Sequence, residues 1–131
     1  ISKHKLKPKE KRKLESHLLY FLLEMGGEKR RRVFVELCTS TERLMLGKRF
    51  AAIYMIEKGV SDRSIARLLK ISTSTVGRFR RKMDRNDFKH TRAWLSKRSV
   101  QSKFLDFLAT LASIPFRAQY TSLGRLLDEL S

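Results

Sequence analysis

Apolar residues recur every three to four positions along most of the chain, which is the spacing of one face of an α-helix. A first such stretch begins at Leu14 and is stopped by Gly26 and Gly27, and a second covers residues 28–38. Their packing positions are Leu14, Leu18, Phe21, Leu22, Met25, Val33, Phe34 and Leu37. No segment alternates apolar and polar residues with a period of two. The pattern therefore predicts an all-α fold.

Small polar residues mark where three further helices should begin. Residues 39–42, Thr-Ser-Thr-Glu, fit a capping box, which predicts a long central helix ending at Gly59. Ser61 should cap the next helix, residues 62–69. Ser72 or Thr73 should cap the following one, which runs to about Arg85.

Three helices are predicted in the rest of the chain. Asp87 should cap a helix that ends in Trp94 and Leu95, both of which we expect in the core. Ser99 opens a stretch with a broad apolar stripe, and after Pro115 residues 121–130 indicate a short closing helix. The stripe consists of Phe104, Phe107, Leu108, Leu111 and Ala112.

The charge of the chain predicts a polyanionic partner. Thirty Lys and Arg against 13 Asp and Glu give a formal net charge of +17, which is far more than solubility requires. Residues 3–13 hold seven of these cations and are too polar to form a core. We therefore expect a flexible basic arm (residues 1–13), a helical DNA-binding domain (14–98) and a C-terminal helical extension (99–131).

Other classes of protein find little support in the sequence. No apolar run is long enough to span a bilayer, so we expect a cytoplasmic, nucleoid-associated protein. Cys38 is the only cysteine, and His4, His17 and His90 lack the spacing of metal ligands. No nucleophile and base are arranged as in a catalytic site. We expect neither an enzyme nor a cofactor.

Residues 61–83, SDRSIARLLKISTSTVGRFRRKM, predict a helix-turn-helix. In this motif the second helix enters the major groove and places its N-terminal residues on base edges. Two steeply crossing helices would touch at the apolar positions Ile65, Ala66, Leu69, Ile71, Val76 and Phe79. Lys70 stands where a glycine usually makes the turn, so we expect it to be left-handed.

The outward face of the second helix combines hydroxyls with arginines. Ser and Thr can donate and accept hydrogen bonds, and Arg can bind guanine through two of them. We predict contacts to double-stranded DNA from Ser72, Thr73, Ser74, Thr75, Gly77, Arg78, Arg80, Arg81, Lys82, Arg63, Arg67 and Lys70. The alternative is an ordinary helical hairpin with a solvated basic face.

Residues 37–95 resemble the bacterial tryptophan repressor family. TSTERLMLGKR is similar to its Thr-x-x-Glu-Arg-x-x-Leu-Gly-x-Arg segment, residues 61–81 to its reading head, and RAWL to its Trp-Leu helix. The resemblance implies an interlaced homodimer that regulates transcription, and the docking geometry given above is known from this family among others.

The resemblance also implies a pocket for free tryptophan between two arginines, here Arg49 and Arg78, with Thr39 and Thr75 nearby. Phe79 stands where ligand-binding members have a glycine. We therefore expect its ring to fill the pocket and DNA binding not to depend on tryptophan. Arg49 could alternatively pair with Glu42 or Glu57.

Two functions remain open at this point. The first is a dimeric, sequence-specific transcriptional regulator, with dimer contacts in residues 14–58. The second is a DNA-tethering assembly protein, or a replication or recombination accessory protein, whose C-terminal helices recruit a protein partner. The apolar stripe after Ser99 distinguishes them, because a homodimer would cover it and a recruiting protein would leave it exposed.

Overall fold

The computed structural model describes residues 5–113, and within that range all regular secondary structure is helical. This described range contains seven helices, α1 (Pro8–Glu24), α2 (Gly27–Leu37), α3 (Ser40–Glu57), α4 (Asp62–Leu69), α5 (Thr73–Asp84), α6 (Lys89–Leu95) and α7 (Arg98–Ser113). The all-α prediction is confirmed. The closing helix expected over residues 121–130 lies outside the described residues.

The chain divides into two compact units, Ile1–Arg43 and Leu44–Ser131. The first unit contains α1, α2 and the first turn of α3. The second contains the rest of α3, followed by α4 to α7. Every buried apolar residue of the described chain belongs to the second unit.

The first helix begins earlier than the sequence pattern suggested. The expected start at Leu14 is wrong, because α1 begins at Pro8 and includes residues 8–13 of the predicted arm. Proline suits the first turn of a helix, where its missing N–H would have no partner. The Lys7 N–H donates to Glu10 Oε1 at 3.1 Å, which closes the N-terminus.

Two arginines in the first unit cap the helix that precedes their own. Arg30 Nε and Nη2 donate to the carbonyl oxygens of Leu22 and Met25 at 2.6 and 2.7 Å. Arg43 Nη1 donates in the same way to the Val35 carbonyl at 2.7 Å. The last carbonyls of a helix have no partner inside it, so these cations stabilise α1 and α2. From the charge pattern alone, both arginines were candidates for contacts with a polyanion.

Both ends of α3 follow the predicted chemistry. Thr39 N–H donates to Glu42 Oε1 at 2.9 Å and Glu42 N–H donates to Thr39 Oγ1 at 3.1 Å, which confirms the capping box. Hydrogen bonding of the Glu42 carboxylate, first by the Thr39 backbone N–H and then by the Thr39 side chain, holds the pKa of this carboxyl below its usual value. At the other end Gly59 is left-handed (φ 80°), and Val60 N–H donates to the Met55 carbonyl at 3.0 Å.

The core of the second unit is built around α3. Six consecutive residues, 51–56, are buried, whereas a helix covered on one face would alternate buried and exposed positions. Ile65 and Leu68 of α4, Val76 of α5 and Leu108 of α7 belong to the same core cluster. Helix α3 is therefore covered on more than one side by its own chain.

Helix α7 is part of this core. Phe104 and Leu108 are buried, and the Phe104 ring lies 4.6 Å from that of Tyr54. Tyr54 Oη donates to Gln101 Oε1 at 3.0 Å, and burial raises the pKa of the Tyr54 phenol. The apolar stripe was expected to be covered in a homodimer or exposed to a protein partner. Phe104 and Leu108 of the stripe instead pack on their own chain. The side chains of Leu111 and Ala112 lie outside the described part.

Two expectations about α6 are wrong. Asp87 does not cap it: α6 begins at Lys89 without a side-chain cap, and Asp87 Oδ2 accepts instead from Arg85 Nη2 at 3.2 Å. Trp94 is not in the core, since 48% of it is exposed, although Leu95 beside it is buried. The Trp94 ring lies 6.2 Å from that of Phe50, which is also exposed.

Replacing Phe104 tests whether α7 belongs to the core. Phe104→Ala should lower the free energy of unfolding by about 3–5 kcal/mol, because a buried ring is removed and a cavity remains. Urea denaturation measures the change, and Asp106→Ala, on the exposed side of the same helix, is the matched control. Equal stability of the two variants would contradict the packing of α7.

Candidate nucleic-acid interface

Helices α4 and α5 and the short turn between them form the predicted helix-turn-helix. Ser61 Oγ accepts from Ser64 N–H at 3.2 Å and caps α4. Lys70 is left-handed (φ 55°, ψ 50°), as expected, at a cost of roughly 1 kcal/mol. The chain turns back where Ile71 N–H donates to the Ala66 carbonyl at 3.0 Å. The structure therefore confirms both helices and the turn.

A cluster of hydroxyls organises the start of α5. Ser72 Oγ accepts from Thr75 N–H at 3.1 Å and lies 2.9 and 2.8 Å from the hydroxyl oxygens of Ser74 and Thr75. Arg78 Nη2 donates to Thr75 Oγ1 at 3.3 Å. These bonds fix the first turn of α5 while Thr73 and Ser74 stay exposed. The exposed hydroxyls are thus held in a defined position before any ligand binds.

Most predicted DNA contacts are on the surface of this helix pair. Val76 and Met83 are buried and hold α5 on the core, which leaves its opposite face to solvent. The exposed members of the predicted set are Arg63, Arg67, Lys70, Ser72, Thr73, Ser74, Arg78, Arg81 and Lys82, and Thr75 and Gly77 are half-buried.

Arg80 has a different partner from the one expected. Its Nε donates to Asp62 Oδ1 at 3.0 Å, and its Nη2 contacts the same oxygen. The pair joins α5 to the first turn of α4, and about 40% of each side chain is exposed. Arg80 therefore links the two helices of the motif, a contact that the sequence does not reveal because the two residues are 18 positions apart.

A half-open groove lies between α3 and α5. Its volume is about 460 Å³, and its lining residues are Met45, Lys48, Arg49, Ile71, Thr75, Arg78, Phe79, Lys82 and Phe88. Four of these are cations and none is acidic, so the groove attracts anions. Arg49 and Arg78, the predicted pair of arginines, both line it.

The expectation that Phe79 fills this space is wrong. Its ring is partly buried against the core, 6.3 Å from the ring of Phe88, and forms one wall of the groove. Thr39, the third predicted pocket residue, belongs to the first unit, where its hydroxyl caps α3.

Arg49 does not form either ion pair suggested from the sequence. Glu57 Oε2 is bound by Arg92 Nη2 at 2.8 Å, and Glu42 takes part in the α3 capping box. Among the described residues Arg49 forms no ion pair. Its guanidinium is thus available to the groove.

Neither a metal-binding cluster nor a membrane-spanning helix is found among the described residues. In the described part of the chain, no three His, Cys, Asp or Glu side chains are grouped so that they could hold a metal ion. Over the same residues, no helix combines the length and the apolar character needed to cross a membrane.

Comparison with known proteins identifies the family. A family model described as Trp repressor protein matches residues 15–99, which extends the resemblance seen over residues 37–95 to include α2 and the part of α1 from residue 15 onward. No curated protein and no solved structure gave a match. Members of the matching family are DNA-binding helix-turn-helix regulators rather than enzymes. Because the match covers well over half of the chain, this protein belongs to the Trp repressor family.

Proposed function

We propose that this protein is a sequence-specific transcriptional regulator that binds double-stranded DNA through α5. The observation that supports this most directly is the outer face of α5, where hydroxyls held by a hydrogen-bonded cap adjoin exposed arginines. Hydroxyls and guanidinium groups are suited to the donors and acceptors of base edges in the major groove. Binding to chromosomal DNA would place the protein in the cytoplasm, with the nucleoid.

The predicted contacts divide into two classes by position. Thr73 and Ser74 lie in the first turn of α5, where recognition helices contact bases, and Arg78 follows one turn later. Arg63 and Arg67 of α4 and Lys70 of the turn are placed to contact phosphates, as the first helix of the motif crosses the DNA backbone. The basic residues before α1 would add contacts without sequence preference.

We further propose that the protein forms a homodimer through α1 and α2. No residue of α1 or α2 is buried, so the first unit leaves its apolar side chains in solvent. Such surface is typical of an unoccupied protein interface. The exposed apolar residues of the two helices are Leu14, Leu18, Leu19, Tyr20, Phe21, Leu23, Phe34, Val35 and Leu37. A second copy would present the same surface, and a symmetric dimer would bind a pseudo-palindromic site with half-sites about 34–36 Å apart.

We also propose that the protein binds DNA without an effector. The contact of Arg80 with Asp62 joins the two helices of the reading head. Phe104 and Leu108 of α7 belong to the same core cluster as Ile65 of α4. Because the chain itself supplies these supports, no bound ligand is needed to position α5.

The alternative of a DNA-tethering assembly protein has lost its main support. An exposed apolar stripe after Ser99 would have supported it, but in the described part of α7 Phe104 and Leu108 of that stripe are buried. An assembly protein would bind duplexes without choosing among sequences, so binding selectivity separates the two functions.

Selection from random duplex DNA tests the proposed function. The full chain should enrich one pseudo-palindromic motif, because two symmetric heads each read a half-site. Arg78→Ala should weaken binding to that motif by about 1–3 kcal/mol and relax the preference at one base position. Titration of selected and random duplexes at one salt concentration measures both effects.

Two outcomes of that experiment would contradict the proposal. If the protein enriches no motif, it does not read sequence. If Arg78→Ala loses affinity equally on selected and random duplexes, Arg78 contacts phosphate instead of a base. Asp106→Ala, an exposed residue of α7 with no part in the proposed DNA or dimer surfaces, is the control.

The pairing of Arg80 with Asp62 predicts a different salt response from that of a phosphate contact. Arg80→Ala should weaken DNA binding but leave the slope of log affinity against log salt unchanged, whereas Arg81→Ala should reduce the slope by about 1. A double-mutant cycle with Asp62→Ala should show a coupling of roughly 0.2–1 kcal/mol in unfolding free energy, as expected for a half-exposed pair. A reduced salt slope for Arg80→Ala would assign it to DNA instead.

Independence from tryptophan can be measured directly. Millimolar L-tryptophan should leave the affinity for the selected duplex unchanged within about twofold, because the reading head is already held by its own chain. Fluorescence anisotropy with and without the amino acid measures this, and calorimetry on the protein alone is the companion experiment. Saturable heat at micromolar tryptophan, together with tighter DNA binding, would show that the groove holds a corepressor.

A further inference from the structure

Gly77 is a glycine that the fold does not require. Gly59 is left-handed, and a Cβ on Gly47 would come within 3.3 Å of Phe107 Cζ in the core. Gly77, in contrast, lies within α5 and its φ is not positive. A Cβ there would meet only Arg81 Nη1, at 3.4 Å, which is an ordinary van der Waals contact with the end of a flexible side chain.

The free protein would accept alanine at this position and gain stability from it. Glycine is the poorest helix former apart from proline, because it loses the most backbone freedom on folding. Glycines inside a helix therefore usually mark a place where another group approaches the backbone closely. Among the described residues, apart from its chain neighbours and the nearby backbone of α5, only Arg81 comes within 4 Å of the position that a Cβ on Gly77 would occupy.

The neighbours of Gly77 indicate what approaches it. Thr73 and Ser74 lie one turn before it, and Arg78 and Arg81 lie beside it and one turn after it. The part of α5 from Thr73 to Gly77 is uncharged, whereas the cations are concentrated from Arg78 onwards. Phosphates are neutralised by cations, and base edges are read by uncharged donors, acceptors and apolar contacts.

We propose that Gly77 is the point where the edge of a base pair in the major groove lies closest to the α5 backbone. Without a Cβ the helix seats deeper in the groove, and the Thr73 and Ser74 hydroxyls come within hydrogen-bonding distance of base edges. Gly77 then determines specificity by shape, because a group that projects from a base edge toward the helix, such as a thymine methyl, fits into the space left by the missing side chain. This inference rests on the proposed binding of duplex DNA.

Gly77→Ala distinguishes a role in DNA recognition from a role in the fold, because the two predict opposite changes in melting temperature. The variant should melt a few degrees higher than the wild type, since alanine is the better helix former. Its affinity for the selected duplex should fall by roughly tenfold or more, with a change of at most about twofold on random duplexes. Gly77→Val should lose still more affinity, because its side chain is larger.

Ser102→Ala is the matched control for stabilisation by alanine on an exposed helical position. It lies on α7, away from the reading face, and should raise the melting temperature without changing DNA affinity. Circular dichroism and fluorescence anisotropy on the full chain, at one protein concentration, provide both readouts.

Three results would overturn the inference. Unchanged affinity of Gly77→Ala for the selected duplex would show that no group needs the space. A lower melting temperature would show that the fold itself requires the glycine. Equal losses on selected and random duplexes would place a phosphate there instead of a base. If the wild type enriches no motif at all, the proposed function itself fails, which is a separate result.

Discussion

The burial of six consecutive residues of α3 is the constraint on which the second unit depends. A helix that is buried on more than one side needs cover from several elements, and α4, α5 and α7 all contribute buried residues to that core. Once Val76 and Met83 hold α5 against the core, its opposite face must point to solvent. The exposure of the outer face of α5 is thus a consequence of how the core is filled.

Local signals in the sequence predicted the helices well. The α3 capping box, the Ser61 and Ser72 caps and the left-handed Gly59 and Lys70 each depend on residues within a few positions of one another. Such interactions are fixed by residue type and spacing, so they can be read without a structure. The start of α1 was missed because a high density of charge outweighed the helix-initiating signal of Pro8 and Glu10.

Contacts between distant residues could not be predicted in this way. Phe79 was expected to fill the groove, but its position also depends on Phe88 and the core. The apolar pattern of α7 identified its packing face without identifying the helices it packs against. Arginines were the most ambiguous residues, because the same side chain can bind a phosphate, a helix end or a carboxylate.

The structure narrows the surface that is available to a polyanion. Arg30 and Arg43 cap helices, Arg80 binds Asp62, and Arg92 binds Glu57. A net charge of +17 therefore gives the sign of the partner but overstates how many cations can contact it. The outer face of α5 has a short uncharged segment at its start followed by arginines, an arrangement suited to contact with base edges beside phosphates.

The central claim is that α5, held in place by its own chain, is the surface that meets duplex DNA. Chemical-shift mapping by NMR, with the selected duplex added to the isotopically labelled protein and no other ligand present, tests it most directly. The largest backbone shifts should fall in residues 72–82, while residues 101–110 of α7 should change little. Unperturbed α5 amides together with large shifts on α7, or no shifts until an effector is added, would contradict it.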